Sequence, residues 1–266
     1  MNMAPTPCPN HIEAGYPDGS RPTLVFLHGI GGRAFGWQPI LEYCRTKGWH
    51  SLAWDMPAYG DSPGVLPYDF EHLALALDAM LERAHASRVV LVGHSMGGMV
   101  AQEYVSRFPA KVAAMVLIAT SPAFGNNSGD FQRAFISQRL APIQAGLTMH
   151  QVAEKVVPQM LGTHAEPQVL EAACKAMGSI QPEAYQEALQ ALVAFDRRSA
   201  LPYIVAPTLC IAGELDATAP PSVMEKMAKK IATSTYCCVA GVGHLLTFEQ
   251  PLAVADIMLN YLEEHL

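Results

Sequence analysis

The sequence predicts an α/β class: a mostly parallel sheet flanked by helices, broken late in the chain by an all-helical insertion. Three observations carry this. Six short runs are continuously apolar, namely TLVFLHG (23–29), HSLAWD (50–55), VVLVGH (89–94), AAMVLIAT (113–120), TLCIAGE (208–214) and TYCCVAG (235–241). Runs that do not alternate belong to strands covered on both faces. Helical patterns separate most of them, and residues 122–206 hold no strand-like run at all.

In chain order, residues 23–29 end in His-Gly and run into Ile-Gly-Gly, a strand leading to a glycine-rich turn. Residues 50–55 form the next strand. FEHLALALDAMLERAH (70–85) follows as a helix, apolar on nearly every turn and charged at its end. After 89–94 comes MVAQEYVSRF (99–108), a helix that stops before Pro109. The strand at 113–120 opens onto four helical stretches: DFQRAFISQRL, TMHQVAEKVVPQML, PQVLEAACKAM and PEAYQEALQALVAF, separated by Gly or Pro. The strand pattern resumes at 208–214. PSVMEKMAKKI (221–231) has proline near its start and lysines near its end, which suits a helix dipole. Residues 235–241 and QPLAVADIMLNYLEEHL (250–266) close the chain as strand and helix. The expected division is a core of residues 1–121 and 207–266, with 122–206 as a helical cap.

Composition narrows the function classes. The chain has 266 residues, half of them hydrophobic, with a net charge of −7 and no basic run. That argues against nucleic acid or an anionic membrane as partner. The six cysteines are scattered without a CxxC pair, so neither a zinc site nor a disulfide framework is expected. The opening MNMAPTPCPN lacks the basic-then-apolar pattern of a signal peptide. No apolar run approaches the ~20 residues that span a bilayer. The expectation is a soluble, cytoplasmic protein.

The stretch VVLVGHSMGGM (89–99) carries the chemistry. Gly93-His94-Ser95-Met96-Gly97 fits G-x-S-x-G, set between an apolar strand and a helix. A strand turning sharply into a helix crowds the positions two before and two after its apex, and both are glycine here. The strained apex pushes Ser95 into the cleft as candidate nucleophile. The backbone N–H of Met96 is one candidate oxyanion donor. The second comes from the turn after residues 23–29: Ile30, with Gly31 as the alternative. His28 is expected to prop up that turn.

Serine needs a base. Of ten histidines, His94 is excluded, since as Ser95's neighbour its side chain should point away. His11 and His265 lie in the termini, and His150 and His164 lie in the insertion. His244 sits in a glycine-bracketed loop after the last strand and is the candidate base. The orienting acid should lie between serine and histidine in the chain. Asp216, beyond the strand at 208–214, is the candidate. Glu214 is the alternative, and Asp196 in the insertion ranks below both.

These residues, namely His28-Gly29-Ile30-Gly31-Gly32, Gly93 to Gly98, Gly213-Glu214-Leu215-Asp216 and Gly243-His244 with Glu249-Gln250-Pro251, give the chain a resemblance to the serine-nucleophile branch of the α/β-hydrolase superfamily. Within it, the chain looks like the capped esterases and lactonases around 3-oxoadipate enol-lactonase, and like C–C hydrolases of meta-cleavage products. The resemblance implies an α/β-hydrolase fold, a helical cap between the family's sixth and seventh strands, and neither cofactor nor metal. Two departures stand out. Ala58 replaces the family's usual glycine in DMPAYGDS (55–62). Only 22 residues precede the strand at 23, so one usual leading strand is missing, leaving about seven.

The expected function is hydrolysis of a small carboxylic ester or lactone through an acyl-enzyme, by Ser95, His244 and Asp216. The alternatives are cleavage of a C–C bond in a vinylogous diketone, and a receptor that binds without catalysis. Arg133, Arg139, Arg197 and Arg198 could hold a substrate carboxylate, although taken singly each reads first as solvated helix surface. A dehalogenase or epoxide hydrolase is disfavoured, because its nucleophile is a carboxylate. Oligomeric state stays open, a homodimer included.

Overall fold

The computed structural model of the chain describes residues 6–125 and 129–266. Its centre is a seven-stranded sheet: β1 (His11–Ala14), β2 (Thr23–Leu27), β3 (Ser51–Trp54), β4 (Val89–His94), β5 (Val112–Ile118), β6 (Thr208–Gly213) and β7 (Ser234–Val239). The strand order is β1-β3-β2-β4-β5-β6-β7, with only β1 antiparallel to its neighbour. The six expected strands are all present. The total of seven agrees with the expected count; the seventh, β1, corresponds to none of the apolar runs, since it has four residues, lies at the sheet edge, is only half-buried, and carries polar His11 and Glu13.

The continuous apolar runs are explained by two cores. Alternate residues of a strand face opposite ways. Leu24 and Phe26 of β2 pack on one face, with α1 (Gln38–Thr46) and α10 (Pro251–His265). Val25 and Leu27 pack on the other, with α2 (Phe70–Arg83), α3 (Met96–Arg107) and α8 (Pro221–Ala228). Every residue of β2, β3, β4 and β6 is buried.

Between β5 and β6 lie α4 (Asp130–Gln144), α5 (Met149–Val156), α6 (Pro167–Gly178) and α7 (Pro182–Ala194). Among the described residues this stretch adds no strand to the sheet, only an isolated bridge between Ala123 and Asp196. Helix bounds shift in instructive ways. The α4 helix runs through Pro142 to Gln144 rather than stopping at Leu140. The α5 helix is started by a capping box between Thr148 and Gln151. A short helix, α9 (Leu246–Glu249), precedes α10.

The strand order reverses at β2, which lies between β3 and β4. Crevices that bind ligands open at such switch points, beyond the carboxyl ends of the strands. The turn after β2 and the turn after β4 therefore meet there.

The departure at Ala58 has a backbone consequence. Ala58 adopts φ 68°, the left-handed region that glycine takes freely. For a residue with Cβ this costs about 1–2 kcal/mol. Ala58→Gly relieves it but adds about 0.5–1 kcal/mol of unfolded-state entropy. The expected result is a neutral to slightly stabilised variant, by up to about 1 kcal/mol, read from the urea midpoint. A clear loss of stability would show that the methyl's packing on the core outweighs the strain.

Candidate active site

β4 ends at His94, and α3 starts at Met96, three residues earlier than the apolar pattern suggests. Ser95 alone makes the turn, at φ 52° and ψ −119°. A Cβ on Gly97 would lie 2.0 Å from the Leu27 carbonyl oxygen, so no larger residue fits there. The strained apex is held on both sides. Ser95 N–H donates to the Ile118 carbonyl at 2.9 Å, and Thr120 Oγ1 donates to the Ser95 carbonyl at 2.7 Å.

Three expected side chains come together at this apex. Ser95 Oγ stands 3.1 Å from His244 Nε2, and His244 Nδ1 stands 2.8 Å from Asp216 Oδ2. Both His244 and Asp216 are buried. Burial works against charge on Asp216, but hydrogen bonds from His244, Ala219 and Thr218 prevail and hold its carboxyl below the ordinary value. The other oxygen, Oδ1, accepts from the N–H of Thr218 at 2.7 Å and of Ala219 at 2.9 Å. An ionised Asp216 only accepts. His244 Nδ1 therefore carries the proton, and Nε2 is left to accept from the Ser95 hydroxyl. Glu214 does not reach the imidazole; it accepts from Gly241 N–H at 2.8 Å. Asp196 pairs with Arg198 in the insertion.

The His244 loop is tied down at several backbone groups. His244 N–H donates to the Met160 carbonyl at 2.7 Å, a contact from the insertion. Glu249 accepts from Gly243 N–H at 2.9 Å and from Gly162 N–H at 2.7 Å, joining the same two segments. His94 does not point away into empty structure. It is buried, and its Nε2–H donates to the His244 carbonyl at 2.8 Å. Burial first, and the neighbouring His244 imidazole next, push its pKa down to about 3, so it is a neutral strut.

The turn after β2 is braced with equal care. His28 Nδ1–H donates to the Gly29 carbonyl at 2.8 Å, and His28 Nε2 accepts from Met56 N–H at 3.0 Å. Gly32 N–H also donates to the Gly29 carbonyl, at 2.9 Å. The Tyr59 hydroxyl donates to the Ile30 carbonyl at 2.9 Å. A trans peptide points its N–H opposite its C=O. These anchors therefore turn the N–H groups of Ile30 and Gly31 away from the interior contacts. Gly29 lies against Ser95, where a Cβ would come within 2.9 Å of the serine Cβ. Met96, the first residue of α3, has an N–H that the helix itself does not use.

Sequence reasoning missed most of this bracing. Three residues of the stretch 55–62 serve it, since besides Met56 and Tyr59, Asp55 binds Arg33 through two hydrogen bonds, of 2.7 and 3.0 Å. A buried tyrosine within a stretch rich in Pro, Gly and Asp was the available signal. Arg33 further donates to Ser179 Oγ of the turn after α6 at 3.0 Å, a second tie to the insertion.

Ser95 and His244 open into a cleft between sheet and insertion, lined largely by apolar side chains such as Phe124, Phe135, Val157, Met177 and Leu192. It holds about 1050 Å³ of space, part of it open to solvent. Of the four arginines singled out, only Arg139 lines it. Arg133 pairs with Asp130, Arg197 with the buried Glu103, and Arg198 with Asp196. Among the described residues no three His, Cys, Asp or Glu side chains converge as a metal site requires. None of their helices is long and apolar enough to cross a membrane.

The family model for the alpha/beta hydrolase fold matches residues 22–251. The chain belongs to this family. It spans about half the length of the first curated relatives, such as the biotin biosynthesis bifunctional protein BioHC of Cellvibrio japonicus, to which it is 27% identical over 92% of this chain and 48% of that protein. It is also 27% identical to a pimeloyl-[acyl-carrier protein] methyl ester esterase of Neisseria meningitidis, over 90% of this chain and 92% of that one. Among solved structures, an enol-lactonase from Burkholderia xenovorans superposes with a TM-score of 0.85 at 22% identity, covering 96% of each chain. A thermophilic esterase from Thermogutta terrifontis gives 0.84 at 23% identity, over 97% of this chain and 94% of that one. These two likenesses show the fold alone. Together the matches place the chain in the alpha/beta hydrolase fold family.

Proposed function

We propose that this protein is a hydrolase that cleaves a small carboxylic ester or lactone, with Ser95 as nucleophile, His244 as base and Asp216 as its orienting acid. The observation that carries the reading is the hydrogen-bonded chain Ser95–His244–Asp216 at the mouth of an apolar cleft. His244 Nε2 takes the serine proton as Oγ bonds to the substrate carbonyl carbon. The resulting oxyanion is met by the N–H groups of Ile30 and Met96, donors worth about 3–4 kcal/mol each at such positions. His244 then protonates the leaving alkoxide, and the ester C–O bond breaks to leave an acyl group on Ser95. Water gives its proton to the same nitrogen and attacks the acyl carbon, and Ser95 departs with the proton returned. The sum is ester plus water to acid plus alcohol. For the setting we propose the cytoplasm, since all six cysteines are unpaired, as a reducing compartment favours.

An alkyl fluorophosphonate tests the reading. The expected result is one adduct per chain, on the peptide bearing Ser95, with hydrolysis of p-nitrophenyl butyrate lost in step. Full labelling with activity retained, or an adduct elsewhere, would overturn it.

A further inference from the structure

We infer that Arg139 is the receptor for an ionised acid group on the substrate, so the preferred substrates are half-esters of dicarboxylic acids or lactones that carry a carboxylate. This rests on the ester-hydrolase reading above and narrows its substrate class.

The argument starts from charge bookkeeping. Three arginines of this chain are half-buried: Arg33, Arg139 and Arg197. Arg33 is held by Asp55 and Arg197 by Glu103. Arg139 has no carboxylate partner, and every Asp and Glu of the chain is among the described residues. A cation taken partly out of water without an anion carries a desolvation cost that no carboxylate of the protein returns. It stands on α4 with its guanidinium carbon 5.3 Å from the centre of the Phe135 ring and with Tyr185 beside it. Such stacking offsets part of the cost and fixes the plane of the fork. It leaves edge N–H donors for a planar, bidentate acceptor, which is what a carboxylate offers.

Position adds the second half. Arg139 and Ser95 line the same cleft, and most of the wall around them is apolar. One molecule with a carbonyl at Ser95 and a carboxylate at Arg139 would lay a hydrocarbon chain along that wall. Arg33 also lines the cleft, but its fork is occupied by Asp55. The chain as a whole is acidic, at −7, so its overall field does not draw anions in. An anionic substrate would owe its affinity to a local cation.

The test compares monomethyl adipate and monomethyl suberate with methyl hexanoate and methyl octanoate. The unsubstituted protein should prefer the half-esters. In Arg139→Gln the ratio of kcat/KM for half-ester to neutral ester should fall about 10- to 100-fold, mostly through KM, as expected for a lost charged hydrogen bond. An unchanged ratio, or no preference before substitution, overturns the inference. If Arg139→Gln does not fold, the unsubstituted protein decides: adipate should compete with p-nitrophenyl butyrate far better than hexanamide does, and equal competition overturns the proposal. Failure of the ester reading looks different, because then neither ester class would be hydrolysed and the fluorophosphonate would leave Ser95 untouched.

Discussion

Ser95→Ala is expected to lower kcat on p-nitrophenyl butyrate by about a million-fold, and His244→Ala by a similar factor. The two effects should not multiply. In the proposed reaction serine and histidine act as one unit: without the imidazole at 3.1 Å the hydroxyl stays protonated, and without the hydroxyl the imidazole has nothing to activate. The double variant should therefore be no slower than either single one. Asp216→Asn should cost about ten-thousand-fold. Its amide can offer an N–H to Nδ1, which turns the imidazole into the wrong tautomer with the proton on Nε2. The fold should survive, because Thr218 and Ala219 still find an acceptor in the amide oxygen. Burst kinetics with active-site titration would read all four variants. Residual turnover in Ser95→Ala above about one part in a thousand, or effects that multiply, would mean that another group carries the reaction.

How much of this was legible beforehand differs by residue. The strand, turn and nucleophile position within Val89 to Gly97 could be read, because an apolar strand and a small-residue turn before a helix are local features, although the helix begins three residues before its apolar pattern. The order of Ser95, Asp216 and His244 was legible for a related reason: each follows a strand end, and parallel strands bring their carboxyl ends to one side. The Met160 carbonyl was not legible. A backbone acceptor has no residue type to betray it, and its contact with His244 joins segments over eighty residues apart. Tyr59 and His94 were hidden because their roles depend on which carbonyl lies within reach. Arg139 could not be told from its three fellows, since α4 buries only Leu140 and its apolar pattern is too weak to say which side faces inward. β1 has no apolar run to mark it, because an edge strand keeps polar residues on its open face without penalty.

The struts that hold the site should also make the protein acid-sensitive. Burial pushes His28 down to about 4, although its bond to the Gly29 carbonyl pulls the other way, and His94 lies at about 3. In the unfolded chain both titrate near the ordinary histidine value, about 6.5. Between these values the unfolded chain binds more protons than the folded one, so stability rises with pH. The contribution is complete above about pH 6.5 and is lost as pH falls toward 4 and then 3. Each histidine supplies a slope of about 1.4 kcal/mol per pH unit, and the pair about 2.7. Two units of acidification would remove roughly 5 kcal/mol, comparable to the whole stability of many domains. Buried carboxylates follow later: Asp55 and Asp216 have lowered pKa values, so their share is kept until pH falls below about 4. Urea midpoints at pH 7, 6, 5 and 4.5 should therefore drop steadily, beginning well above the carboxylate range. His94→Gln keeps an N–H donor for the His244 carbonyl but cannot titrate, and it should cut the slope to about half. Stability that stays flat from pH 6.5 to 4.5 would show that His28 and His94 can take up protons without leaving their places, and that the bracing of the site is softer than its geometry suggests.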